Sequence, residues 1–535
     1  MVARVRTATL TGLTMQPVTV EVEVSSGLPG LSIVGLPDKA VDESRERVRS
    51  AIRHVGGTLP ARRITVNLAP AGTRKAGSGL DLPIAVGVLA ATGQIPEPPA
   101  TTLFLGELSL DGALQPVRGV LPVALGVQKH GGSALVVPRG NAREAAMAPE
   151  LNVYGLDSIA ALVGCLRQEA PWRPDRPTAI EGSATPSVDL SDIRGQIHAK
   201  RVLEVAAAGG HNVLLTGPPG TGKSMLAKAL PGLLPPPSRE ELLEITVAHS
   251  VAGTLPDGGG PDGPNGEPLV RSRPFRSPHH SVSPAGLIGG GVRPRPGEMT
   301  LAHRGVLFLD ELPQFSPAAL ESLRAPLEDR SIRISRAGQT LTFPADCLVV
   351  GSQNPCPCGF ADDPVRPCTC SPYTVVRYRQ RLSGPIRDRF DLVAVVPRLA
   401  YDELSVPDSE SSAAVRRRVE AARRRQAERL GVRSGTRGVR GARGGARGDA
   451  KHGVDRTNAD MDLPELERHA GLESDGEFLL QQAVDRWHLS VRGCHRVLRV
   501  ARTIADLAGS SRVTDVHVAE ALQYRERLAD AGQPA

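Results

Sequence analysis

Lys223 and Ser224 close the run Gly217-Pro218-Pro219-Gly220-Thr221-Gly222-Lys223-Ser224, an order of residues suited to holding phosphate. Glycines let successive backbone N–H groups turn inward around phosphate oxygens at the start of a helix, Lys223 meets the β and γ phosphates, and the Ser224 hydroxyl ligates Mg2+. Downstream, Val306-Leu-Phe-Leu309 ends in Asp310 and Glu311. Asp310 at the exposed end of an apolar strand would hold the Mg2+ shell, and Glu311 would polarise the attacking water. Alone, such a strand end suits a helix N-cap equally well. Paired with the glycine loop, it implies an ATP-hydrolysing centre.

Three further residues fall where such a centre needs them. Asn354 follows the apolar run Cys347–Val350 and is placed to orient the water. Arg389, within Gly384-Pro-Ile-Arg-Asp-Arg-Phe-Asp391, precedes another strand and is placed to reach a neighbouring subunit's phosphate. Arg492, within Leu489-Ser-Val-Arg-Gly493, begins a helix from which it can sense nucleotide. Arg387 and Arg496 are rivals for the two arginine roles, and a single arginine is more often a solvated or paired surface charge. Separately, Cys356-Pro-Cys358 and Cys368-Thr-Cys370 put four of the seven cysteines in one short segment. They are the ligand set for a tetrahedral Zn2+ that would staple a loop, although the one-residue gaps are tighter than usual zinc spacing and idle thiols are the alternative. His279 and His280 have no acidic or thiol partner at ligand spacing and read as a solvent-facing loop.

These groups need rigid elements behind them. Val213-Leu-Leu-Thr216 supplies a strand into the glycine loop and an amphipathic helix leaves it. Apolar strands alternating with helices predict a parallel sheet covered on both faces over residues 188–400. Ahead of it, residues 1–168 mix period-two strand signals (Val18–Val24) with a charged helix from Asp38 to His54, an α+β pattern. A Pro-rich linker spans 169–187, and Leu255–Pro268 is a Gly/Pro surface loop. Residues 401–461 carry an arginine-rich helix and then an arginine-glycine tract, Arg433–Arg447, which has no means of burying surface and is expected to be a disordered spacer, with sequence-blind nucleic-acid binding as the alternative. From 462 to 530 helical periodicity returns, as a small bundle. The whole is a multidomain α/β chain.

Composition limits the alternatives. Of 64 basic and 57 acidic residues, 14 and 4 fall between Arg416 and Arg456, so the remainder is slightly acidic. Any phosphate attraction that composition supports is concentrated there. The N-terminus shows no apolar segment after Arg4 and Arg6, and Leu82–Gly93, about twelve residues beside Asp81, suits a buried helix better than a membrane span. A cytoplasmic chain without a membrane partner is expected.

The segments VEVEVSSGLPGLSIVGLPDKAVDESRERVRSAI, DIRGQIHAKRVLEVAAAGGHNVLLTGPPGTGKS, SPHHSVSPAGLIGGG, HRGVLFLDEL, NPCPCG, RLSGPIRDRFDL and SVRGCHRVLRVARTIADL occur in this order. In them the chain resembles the magnesium-chelatase-like AAA+ proteins of the YifB/ComM family over nearly its full length. The resemblance implies sensor 1, arginine-finger and sensor 2 roles for Asn354, Arg389 and Arg492, a central AAA+ domain with a helical lid, and a hexameric ring with ATP between subunits. It implies DNA as partner and a branch-migration helicase activity, with Arg271, Arg273 and Arg276 as candidate phosphate contacts. A chelatase motor for porphyrin metal insertion and a non-translocating ATP-regulated platform are the competing functions. The first 168 residues resemble a Lon-protease-like domain. Gly79-Leu-Asp-Leu-Pro83 offers no serine at the nucleophile segment and Leu121 stands where the lysine would fall, so no peptidase activity is expected.

Overall fold

The computed structural model describes residues 2–72, 75, 77–176, 188–255, 270–291, 294–336, 339–361, 363, 365–400, 410–434 and 453–525. The arginine-glycine tract beyond Ser434, most of the glycine-proline loop and the end of the Pro-rich linker lie outside these residues.

The alternation near the N-terminus forms the strand Thr14–Ser25, with Val18, Val20 and Val22 buried on one face. It pairs antiparallel with Val2–Thr11 and Arg63–Ala69 inside a seven-stranded mixed sheet. Asp38 caps the helix Lys39–His54 by accepting from the Val41 amide at 3.0 Å. The apolar run after it becomes the helix Asp81–Ala91, buried at every residue. That helix lies so close to the sheet that a Cβ on Gly87 would come within 2.7 Å of Val22.

The second sheet has five strands in the order Phe275–Arg276, Val306–Leu309, Leu348–Gln353, Val213–Thr216, Leu392–Val395, with every neighbouring pair parallel. Alternate side chains feed two separate cores. Val213, Leu215, Val306 and Phe308 join one face, while Leu214, Leu307 and Leu309 join the other. The first face is covered by the helices Ile197–Gly209 and Lys223–Leu233 together with the C-terminal helices, among them Ser474–Trp487 and Val491–Leu507. The second is covered by Pro317–Ser322 and the hairpin Ser331–Arg336/Gln339–Pro344.

The arginine-rich helix, Ser412–Leu430, is part of the first core through Val415, Val419 and Ala422. Several of its basic residues are spent on partners within the protein, while Arg417 and Arg424 stay exposed. Arg418 pairs with Glu204 and Glu410, Arg423 donates to the Ala207 carbonyl, and Arg429 pairs with Asp506. These three arginines therefore add little to a free cationic face, because their guanidinium groups satisfy a helix C-terminal carbonyl and carboxylates.

The N-terminal sheet unit is seated on the helix Arg239–Ala252. Buried Glu144 accepts from the Ser250 hydroxyl and from the Leu121 amide at 3.0 Å, and the Gly119 amide donates to the Ser250 carbonyl at 3.2 Å. Among the described residues, no helix is long and apolar enough to cross a membrane.

Candidate nucleotide site and a second cluster of arginines

The glycine loop leaves the strand Val213–Thr216 where backbone crowds in: a Cβ on Gly217 would lie 2.1 Å from the Val396 carbonyl oxygen. Gly222, at φ 95, is the left-handed turn into the helix Lys223–Leu233. Lys223 is 8% exposed and donates to the carbonyls of Gly217 at 2.7 Å and Pro218 at 2.8 Å and to Asn354 Oδ1 at 3.0 Å. Burial pushes its ammonium down, against the opposing pull of Asp310 and Glu311.

Asp310 stands at the end of Val306–Leu309, with Oδ2 3.3 Å from the Ser224 hydroxyl. Its Oδ1 accepts from Ser352 Oγ and from the Glu311 amide at 3.1 Å. That amide also donates to Ser352 Oγ at 3.1 Å. Glu311 itself is held at φ 52, a left-handed conformation costing a side-chain-bearing residue about 1–2 kcal/mol. Ser352 is the residue that sequence reasoning passed over. A polar side chain interrupting the apolar strand Leu348–Gln353 beside the acidic strand end is the signal that marks it.

Lys223, Ser224, Asp310, Glu311 and Asn354 thus converge at the C-terminal ends of parallel strands. Two oxygen donors 3.3 Å apart, a hydroxyl and a carboxylate, suit a hard cation such as Mg2+.

Arg389 and Arg492 are not there. A cleft of about 550 Å³ holds both, and its wall includes Asn212, Cys347 and Asp391, the residues just before strands Val213–Thr216, Leu348–Gln353 and Leu392–Val395. The cleft is at the opposite edge of the same sheet, roughly 20 Å from the glycine loop at strand rise. There Arg389 lies 2.6 Å and Arg492 3.5 Å from one oxygen of Glu328. Of the rivals, Arg496 is buried against Asp391 at 3.5 Å, and Arg387 donates to the Arg379 carbonyl at 3.4 Å.

The four cysteines do come together. Cys356 Sγ is 3.3 Å from Cys358 and 3.7 Å from Cys368, Cys358 is 3.6 Å from Cys368, and all four sulfurs including Cys370 lie within 4.8 Å of one another. A Zn2+ with four sulfurs at 2.3 Å has tetrahedral edges of about 3.8 Å. Backbone N–H groups of Phe360 and Thr369 hold the Cys358 thiol down to about 5. The loop also abuts the phosphate loop: a Cβ on Gly359 would come within 2.6 Å of Pro219.

The other candidates are accounted for differently. His279 and His280 pack ring to ring at 4.0 Å, and His279 Nδ1 bonds to Ser281 at 2.8 Å, with no metal-ligating cluster around them among the described residues. Arg273 is paired with Glu241 at 2.8 Å and Arg276 with Glu298 at 2.7 Å, so neither offers a free guanidinium for a DNA phosphate.

Residues 189–404 match the family described as magnesium chelatase, subunit ChlI, residues 20–141 the subunit ChlI of Mg-chelatase, and residues 409–525 the magnesium chelatase, subunit ChlI C-terminal. The chain is 42% identical over 516 residues to the competence protein ComM of Haemophilus influenzae, covering 95% of this chain and 94% of that protein. It is 41% identical over 527 residues to YifB of Escherichia coli, an uncharacterized protein, covering 97% and 96% of the two chains. The uncharacterized protein Rv2897c of Mycobacterium tuberculosis is 43% identical over 518 residues, covering 96% and 97%.

Proposed function

The chain belongs to the magnesium-chelatase-like AAA+ family of the ComM and YifB proteins, and on that premise we propose that it is a ring-forming ATPase whose work remodels DNA. The observation that carries this reading is the split of the site across the sheet. Lys223, Ser224, Asp310, Glu311 and Asn354 sit at one end of the strands and Arg389 and Arg492 at the other, a separation that supports the two sets meeting different triphosphates. A neighbouring copy in a ring, six-membered in the family, supplies the missing half.

In this reading Gly217 to Gly222 wrap the phosphates of ATP, and Ser224 and Asp310 hold Mg2+, which neutralises phosphate charge when bound. Lys223 exchanges its bonds to the Gly217 and Pro218 carbonyls for phosphate oxygens. Glu311 takes the proton of the attacking water, Asn354 orients that water, and the neighbour's Arg389 and Arg492 meet the charge developing on the transferred phosphate. Cys356, Cys358, Cys368 and Cys370 would hold a structural Zn2+, which would fix the loop after Asn354 against the phosphate loop. The work is done in the cytoplasm.

Residues 1–168 are read as a Lon-protease-like domain serving ring assembly or DNA contact rather than peptide hydrolysis. Ser78 donates to Glu107 and the buried Lys75 ammonium to the Pro70 carbonyl, so serine and lysine are not paired. DNA as the load is supported by the relative named a competence protein. The chelatase family matches favour a second reading, a motor for metal insertion into a porphyrin. ATP hydrolysis measured with and without forked or single-stranded DNA, alongside strand displacement on a four-way junction, separates the two. Stimulated hydrolysis and displacement are expected; turnover indifferent to DNA and an intact junction would overturn the DNA reading.

A further inference from the structure

Glu328 has no obvious role in the sequence, yet it holds both arginines assigned to the neighbour's nucleotide. Its Oε1 is 2.6 Å from Arg389 Nη2 and 3.5 Å from Arg492 Nη1. Among the described residues these are the ion pairs it makes, and its side chain is 48% exposed at the end of the helix Arg324–Asp329. One carboxylate oxygen thereby ties a strand-edge loop to the first turn of the helix Val491–Leu507.

That single oxygen does not exhaust the donors. The Arg389 side chain is only 9% exposed, and its Nε–H is buried without a hydrogen-bond partner. Arg496 Nη1 lines the same cleft and also lacks a hydrogen-bond partner, facing Asp388 Oδ1 only at 3.8 Å. Buried donors left unpaired are costly, and guanidinium forks complement an oxyanion that presents several oxygens at once. A terminal phosphate has three such oxygens and more charge than a carboxylate. The cleft is therefore better matched to a phosphate than to the residue now holding it.

We propose that Glu328 is a stand-in for the terminal phosphate of a neighbouring subunit's ATP. It keeps Arg389 and Arg492 gathered in the absence of that phosphate and is displaced when a second copy presents a triphosphate to the cleft. This rests on the shared-site reading above. Glu328 competes with the phosphate for the same donors, so it sets the ATP concentration at which the interface closes and does not touch the reacting atoms.

The test is steady-state ATP hydrolysis by the full chain carrying Glu328→Gln, Glu328→Asp or Arg389→Ala, with ATP and protein concentration both varied. Glu328→Gln keeps the shape and removes the competing charge. It should lower the half-saturating ATP concentration on the order of threefold to tenfold, with the rate at saturation little changed. Glu328→Asp, which keeps the carboxylate, should stay nearer the parent. If Glu328→Gln instead cuts the saturated rate as Arg389→Ala does, Glu328 positions the finger and the stand-in idea is wrong. An inactive Arg389→Ala beside an unchanged Glu328→Gln overturns the stand-in alone. A fully active Arg389→Ala overturns the shared site, and the stand-in with it.

Discussion

Lys223 Nζ and Asn354 Oδ1, 131 positions apart in the chain, are joined at 3.0 Å. The amide oxygen shares with two loop carbonyls the three donors of a buried ammonium, which is how the lysine is held in place. Removal of either partner should act on a different step. Lys223→Ala should abolish ATP binding in a fluorescent-nucleotide titration. Asn354→Ala and Glu311→Gln should bind ATP and lose turnover by about 10²-fold or more. Native-rate hydrolysis by Glu311→Gln would remove it from the water-activating role.

Hydrolysis should depend on assembly. Lys223→Ala and Arg389→Ala disable opposite edges of the sheet, so each preparation alone is expected to be inactive. Mixed in equal amounts and allowed to exchange subunits, they should recover a fraction of the parent rate at interfaces where both intact edges meet. A mixture as inactive as its components would argue that one chain completes its own site.

Metal at the cysteines should be felt in the nucleotide site. We expect about one zinc per chain by elemental analysis, absent from a Cys356→Ser and Cys368→Ser double variant. Since Gly359 packs against Pro219, the variant should also bind ATP more weakly. A metal-free parent would leave the four thiols as a purely packed cluster.

Acid should weaken the fold through His249. Its Nδ1 faces the Thr254 hydroxyl at 3.0 Å and its Nε2 the Leu301 carbonyl at 3.1 Å, and burial pushes its pKa below the ordinary 6.5. In the unfolded chain the imidazole takes a proton as pH falls through 6.5, whereas in the fold it resists until lower pH. Stability is therefore full above 6.5 and declines below it, by at most about 1.4 kcal/mol per pH unit for this group. His198, His469 and His517 shift in the same direction, so the informative quantity is a difference. His249→Gln should show a shallower fall in melting temperature between pH 7.5 and 5.5 than the parent. Parallel curves would show that His249 does not contribute.

Some of this protein was determined by local sequence. The glycine loop, the strand ending in Asp310 and Glu311, the capped helix after Asp38 and the buried helix Asp81–Ala91 each follow from periodicity or steric demand within a dozen or so neighbours, and each stands where that reading put it. Other features have no local signature. Ser352 and Glu328 are ordinary polar residues until the strands are laid side by side. Arg418, Arg423 and Arg429 look like part of a cationic face until Glu204, Ala207 and Asp506 are folded against them. Arg273 and Arg276 look available until Glu241 and Glu298 meet them. Most of all, the sequence reading put Arg389 at a neighbouring subunit's phosphate and Arg492 where it senses nucleotide, without showing that the two share one cleft away from the glycine loop. Only the parallel sheet separates them from the glycine loop: strand direction is a non-local property, and it sends residues before a strand and residues after it to opposite ends of the sheet.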